Sequence, residues 1–290
     1  MNPKLLLIHA LSPIHCGTGQ AIGGIDLPIA REKPTGIPLI PGSSIKGVLR
    51  AMKATVPTLH RQVFGPDTDS ASDNAGSVQL SDANLVFLPV RSLRGTFAWV
   101  TSPYMLRRLA RDARECGITL TELGTEPEEK RALVTGEKLA TKSKVVFEDL
   151  DFTAKKSEPL GQLAEQIARL LFEEADRRHF VERACVVHDD VMALLLQTCT
   201  EITQRIRLDP EKKTVAAGAL WSEEALPVES VLAGLVVVSP VRQKDGTDPD
   251  PAAMLGYVKG LAEGGAVQLG GKASVGRGLC RVRLASAEQG

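Results

Sequence analysis

Apolar and polar positions alternate along this chain in two rhythms, and each rhythm predicts an element. Residues 4–11 (KLLLIHAL) form a nearly continuous apolar run, the mark of a strand covered on both faces. From Ser43 to about position 55 the period changes. Ile45, Val48, Leu49 and Met52 recur three or four residues apart and predict a helix with one core face. Strand signals return over 78–90. Ser102 and Pro103 open a helix carrying Met105, Leu106 and Leu109, which stops at Gly117. A strand is expected over 145–152 and a helix from Pro159 to about position 176, with Leu160, Leu163, Ile167, Leu170 and Leu171 as its stripe. A shorter helix follows over 188–196. Residues 201–208 and 214–221 flank the turn DPEKK and read as a hairpin. The run 231–238 is a buried strand, 251–262 a helix and 279–284 a closing strand. Residues 67–77 (DTDSASDNAGS) are polar and read as a loop.

Composition narrows the class. A chain of 290 residues with 43% hydrophobic and 24% charged residues is long enough for one large core with insertions. There is no apolar run of membrane-spanning length and no signal-peptide pattern, so no membrane partner and no export are expected. The five cysteines are scattered without a CxxC pair, which points to a reducing cytoplasm and away from a structural zinc site.

Net charge is zero, yet it is segregated. Residues 1–60 carry six cations against Asp26 and Glu32, a balance of +4, and the tail from Val267 carries a balance of +3. Residues 158–190 carry eight acids against four arginines, a balance of −4. Basic ends and an acidic middle suit a nucleic-acid face and a separate protein-contact or solvent face. Chance clustering of solvated charges gives the same pattern.

The chemistry concentrates in residues 9–50. Asp26 is a lone carboxylate in a loop flanked by Gly23 and Gly24. The segment PGSSIKGVLR then enters the first helix, where Ser43 or Ser44 is placed to cap it and Lys46, Arg50 and Lys53 lie beside the core stripe. A helix start with hydroxyls and cations suits a phosphate backbone, although an ordinary capped surface helix reads the same way. His15 lies eleven residues before Asp26, as an acid, a base, a phosphate contact or a structural histidine. His9 reads as structural. Near the C-terminus, LGGKASVGRG lacks the Walker A spacing, but its backbone can form an anion nest with Lys272 and Arg277 adding charge.

Several blocks together resemble a known family. HALSPIHCGTGQ, IDLPIARE and IPLIPGSSIKGVLR, then residues 76–103, 205–227 and 269–278 in the same order, resemble the RAMP proteins of CRISPR effector complexes. More narrowly they resemble the repeated backbone (fourth) subunit of the type III-B (Cmr) complex. The resemblance covers essentially the whole chain. It implies an α+β fold: a ferredoxin-like, RRM-type palm (about 1–60, 78–100 and 228–290), a helical insertion (about 102–198) and a β-hairpin thumb (about 201–227), all within one RAMP domain.

The resemblance also implies a function in antiviral defence. The subunit would bind crRNA, polymerise with further copies of itself and with other Cmr subunits, and cut complementary target RNA at regular intervals. Asp26 would be the residue required for cutting. An unperturbed aspartate has a pKa of about 3.9, too low for an efficient general base at neutral pH. A ligand role toward Mg²⁺ or another divalent metal is therefore expected for Asp26. Glu223 and Glu224 would lie at the foot of the thumb, within reach of a neighbouring subunit's site. Many relatives place an aromatic residue before that acidic pair, where this chain has Ser222. Trp221 is a core tryptophan or a stacking platform. Ser43, Ser44, Lys46, Arg50, Gly270, Gly271, Lys272 and Arg277 are the expected RNA contacts, with the C-terminal loop either touching RNA or packing on the palm. Two other readings share the superfamily: a catalytically silent RNA scaffold, and a standalone guide-processing ribonuclease.

Overall fold

A computed structural model of the chain describes residues 3–19, 24–66, 75–208, 215–240 and 250–287. Most of the 67–77 loop and the DPEKK turn lie outside the described residues, as does Gly23.

The strands in chain order are β1 (Lys4–Ala10), β2 (Leu39–Ile40), β3 (Val78–Leu80), β4 (Ala83–Arg91), β5 (Phe97–Thr101), β6 (Arg131–Val134), β7 (Lys144–Phe147), β8 (Leu150–Lys156), β9 (Ala184–Val186), β10 (Glu201–Leu208), β11 (Val215–Ala225), β12 (Val231–Val238), β13 (Val267–Gln268) and β14 (Leu279–Ala285). The helices are α1 (Gly42–Ala51), α2 (Pro57–Phe64), α3 (Pro103–Glu115), α4 (Glu158–Leu171), α5 (Glu174–Val181), α6 (Asp189–Thr198) and α7 (Pro251–Glu263).

The palm is the part that the order of elements dictates. β14, β1, β12 and β4 lie side by side, all antiparallel, with α1 after β1 and α7 after β12. That is the βαββαβ arrangement of a ferredoxin-like palm. The apolar run of β1 has a direct cause. Leu6, Ile8 and Ala10 join one core with Ile45 and Leu49 of α1 and Met254 and Val258 of α7. Leu5 and Leu7 join the opposite core with Leu106 and Leu109 of α3 and Leu160, Leu163 and Ile167 of α4. Both faces of the sheet are covered, so alternation is lost.

Beyond β4 the sheet continues through β5, β9, β6, β8 and β7. The stretch expected as a helical insertion thus also carries strands, and these extend the palm sheet. Aromatic side chains pack where the two parts meet. Trp99 touches Phe97, Phe172 and Phe180, and its Nε1 donates to the Glu229 carbonyl at 2.7 Å. β10 and β11 form a separate two-stranded sheet that rises beside the palm.

Several expected boundaries change. The first helix ends at Ala51 rather than near 55, and α2 starts afresh on Pro57. The single strand expected over 145–152 is a hairpin, β7 and β8, turned at Glu148 with φ 48°. The helix expected to reach 176 stops at Leu171, and α5 follows. Strands β5, β6 and β9 are additions to the sequence reading. Ser43 and Ser44 do not cap α1. Pro41 holds that position and the Gly42 N–H donates to Asp82 Oδ1 at 2.8 Å.

Candidate functional site

After β1 the chain crosses the foot of the β10–β11 hairpin twice. Ile14 bridges Leu226, and Gly17 bridges Ile29 on the returning segment. Between these two crossings lies Asp26. Its neighbour Leu27 forms a parallel bridge with Glu223. The Leu27 N–H donates to the Ser222 carbonyl at 3.1 Å and the Glu224 N–H donates to the Leu27 carbonyl at 2.9 Å. The aspartate loop is thereby laid along β11 as a short extra strand.

Asp26 itself is exposed. Its Oδ2 accepts from the Ser222 N–H at 2.8 Å and from the Ser222 hydroxyl at 2.8 Å, while the Asp26 N–H donates to Ser222 Oγ at 2.9 Å. Oδ1 accepts no hydrogen bond from another described residue. The main-chain N–H of Ser222, then its hydroxyl, hold the Asp26 carboxyl below its ordinary value. The result is a carboxylate charged at neutral pH, with one oxygen tethered and the other open.

The two glutamates of β11 are occupied. Glu224, 3% exposed, accepts from the Ile29 N–H at 3.1 Å, Arg31 at 2.6 Å and the Thr200 hydroxyl at 2.9 Å. Glu223, 2% exposed, gathers Arg205 at 3.7 Å, Lys272 at 3.5 Å and Arg277 at 3.8 Å. Its Oε1 is buried without a hydrogen-bond partner. The His15 ring is buried, and its Nδ1 donates to the Glu224 carbonyl at 2.7 Å, which ties the first crossing to β11. His9 is also structural, bonded through Nε2 to Glu229 at 2.7 Å and packed on Phe172.

The glycine-rich loop closes on the same place. The Gly271 N–H donates to the His15 carbonyl and the Gly278 N–H to the Pro13 carbonyl, each at 2.8 Å. Gly270 has φ 81°, and a Cβ there would stand 2.5 Å from the His15 carbonyl oxygen, so only glycine permits this approach. Arg277 reaches Glu201 at 2.9 Å, and its side chain is only 10% exposed. Lys272 remains about a third exposed. The loop therefore packs on the palm and on the hairpin foot, with Lys272 the more accessible of its two cations.

The structure thus brings His15, Asp26, Glu223, Glu224, Gly270, Gly271, Lys272 and Arg277 to one hairpin foot. Ser43, Ser44, Lys46 and Arg50 form a second cluster on α1. Lys46 donates to the Val78 carbonyl at 2.9 Å and Arg50 to the Pro66 carbonyl at 2.7 Å. Burial, then the charge of Arg50, pulls the Lys46 ammonium below its ordinary value. Trp221 is half-buried opposite Arg205 on β10. The sequence reading missed the bond between Ser222 and Asp26 and the cation group around Glu223. Both join residues far apart in the chain, and no local pattern announces them.

Among the described residues, the trio of metal-ligand type within 4.8 Å of one another is Glu129, His188 and Asp190, which excludes Asp26. Asp26 thus offers a cation one free carboxylate oxygen, and waters and phosphate oxygens can complete the shell that Mg²⁺ requires.

Comparison with known proteins accords with this arrangement. The RAMP superfamily model matches residues 7–281. The chain is 35% identical to the CRISPR system Cmr endoribonuclease Cmr4 of Pyrococcus furiosus, over 98% of this chain and 96% of that protein. It superposes on the crystal structure of oligomeric Cmr4 from Pyrococcus furiosus with TM-score 0.75 and 28% identity, covering 99% of each chain. A chain of the type III-B Cmr-beta complex bound to cognate target RNA shares the fold at TM-score 0.76 and 20% identity, over 97% of this chain and 96% of that one. A palm of βαββαβ order, a hairpin beside it and a glycine-rich loop locked to both therefore belong to a member of the RAMP superfamily, in its Cmr4 family.

Proposed function

We propose that this chain is the crRNA-binding backbone subunit of a type III-B CRISPR complex, and that Asp26 carries its cleavage of complementary target RNA. The observation that carries this reading is the Asp26 carboxylate: exposed, ionised and held at the foot of the hairpin with Oδ1 free. The similarity to an endoribonuclease over nearly the full length supports it. Its partners are crRNA, target RNA, further copies of itself and other Cmr subunits, working in the cytoplasm. No helix among the described residues is long and apolar enough to cross a membrane.

RNA carries its own nucleophile, the 2′-OH, so the protein has to align it and offset developing charge. Hydrogen bonds that lower the Asp26 pKa make it a poor base and a good fixed charge. Asp26 would hold a divalent cation through Oδ1. Such an ion, when bound, supplies Lewis-acid stabilisation of phosphate charge. Arg205, Lys272 and Arg277 keep positive charge beside the site, and Lys272, about a third exposed, is placed to meet a phosphate.

The test is the assembled complex incubated with end-labelled complementary RNA, with Mg²⁺ and with EDTA. Evenly spaced products that vanish in EDTA are expected. Intact RNA under both conditions identifies a silent scaffold and overturns the cleavage reading.

A further inference from the structure

Ser222 stands between the hairpin and the carboxylate, and every polar atom it has is used there. Its carbonyl accepts from the Leu27 N–H, its own N–H donates to Asp26 Oδ2, and its hydroxyl donates to Oδ2 while accepting from the Asp26 N–H. The residue is 5% exposed and sits in β11 opposite Gln204 of β10. Asp26 is exposed in a loop that begins with glycines, where an untethered carboxylate would turn freely among rotamers. Among the side chains, a hydroxyl on Cβ belongs to serine and threonine alone, and only such a group donates and accepts at this short range.

We propose that Ser222 is a positioning residue for Asp26: it fixes Oδ2, so that Oδ1 is the oxygen presented to the RNA. The inference rests on the reading of Asp26 as the cleaving residue. Charged side chains on the neighbouring elements are spoken for elsewhere: Glu224 by Arg31, and Glu223 by Arg205, Lys272 and Arg277. The orientation of the carboxylate is therefore set by hydrogen bonds from one residue. Because that residue belongs to the hairpin strand, the hairpin and the cleaving group hold a common register.

The experiment compares complexes built with wild type, Ser222→Ala, Ser222→Thr and Asp26→Asn. Single-turnover cleavage is measured at saturating target RNA, and target affinity separately. The alanine variant keeps the main-chain bond to Oδ2 and loses the hydroxyl, so its cleavage should fall roughly tenfold at unchanged affinity. The threonine variant should recover most of the rate. On the isolated full chain at fixed pH, the ¹³Cγ resonance of Asp26, assigned by its loss in Asp26→Asn, should move in Ser222→Ala and stay in Ser222→Thr. Wild-type cleavage by Ser222→Ala, or an unmoved Asp26 resonance, overturns the inference. So does a loss of rate that follows lost affinity and is not recovered by threonine. Wild-type cleavage by Asp26→Asn overturns instead the reading beneath it, and the resonance still reports whether Ser222 holds the carboxylate.

Discussion

Asp26 and Glu224 lie on the two paired segments of one seam, and their surroundings give them opposite work. Glu224 is buried and saturated by Ile29, Arg31 and Thr200, so it holds the crossing segment to the hairpin foot. Asp26 has one oxygen tethered and one open, so it is available to a ligand. Glu32 shows the same structural use of charge a little further along. It takes the Arg108 guanidinium in two bonds, at 2.8 and 3.1 Å, and so ties α3 to the segment after the aspartate loop. The Thr35 hydroxyl, then Arg108, lower its pKa. A folded-state pKa below the unfolded value of about 4.3 contributes stability above that pH and loses it as pH falls through the folded value. Glu32→Gln should therefore lower stability on the order of 1 kcal/mol at pH 7. Melting temperatures measured from pH 7 to 3 should show the deficit shrinking toward acid. Parallel curves would contradict this role for the charge.

At the scale of elements, α1 carries Lys46 and Arg50 four residues apart on one side, a like-charge pair that costs a helix rather than supports it. On the proposed reading, an RNA backbone along α1 would give the pair a use beyond their bonds to the Val78 and Pro66 carbonyls. Lys46→Ala/Arg50→Ala gives up those two bonds and should lower the melting temperature modestly. Beyond that it should weaken guide binding regardless of guide sequence and flatten the salt slope by about one unit per contact. An unchanged slope and affinity, measured by filter binding over a salt series, would remove α1 from the RNA interface. Elements were legible in the sequence where one local rule governed them. β1, β12, α3 and α7 announce themselves by apolar runs or by proline at the helix start. The short strands β6 and β9 do not, since each is a few residues long and owes its existence to sheet neighbours distant in sequence. The end of α1 was misplaced for a similar reason: Met52 turns extended and α2 restarts on Pro57, and hydrophobic spacing alone runs through that break.

At the scale of the molecule, the palm holds the site and the hairpin completes it. Two halves of the palm lie on either side of the insertion in sequence, and β1 between β14 and β12 joins them. The site draws on the first crossing, the hairpin foot and the C-terminal loop, three segments that only the folded palm brings together. The sequence showed the members, Asp26 above all, but not their partners. Ser222 drew notice only as a missing aromatic, and its bond to Asp26 spans 196 positions. The hairpin also shows apolar side chains to solvent: Ile202 and Ile206 on β10, with Leu220 opposite Ile206. As a separate sheet it can lose that surface without loss of the core. Ile206→Thr/Leu220→Ser should leave the stability within about 0.5 kcal/mol of wild type, read by thermal or denaturant unfolding. It should also erase the regular spacing of cuts in the assembled complex, read on a sequencing gel. An unaltered ladder would show that this surface does not set the cut positions.

The most direct measurement is target cleavage by a complex in which every copy of the subunit carries Asp26→Asn. The amide keeps the size of the carboxylate and loses its charge. The account predicts that cleavage falls to background, by at least about a thousandfold if the fixed charge supplies roughly 4 kcal/mol of transition-state stabilisation, while guide and target affinities stay within about twofold. Cleavage at the wild-type rate by that complex would contradict it.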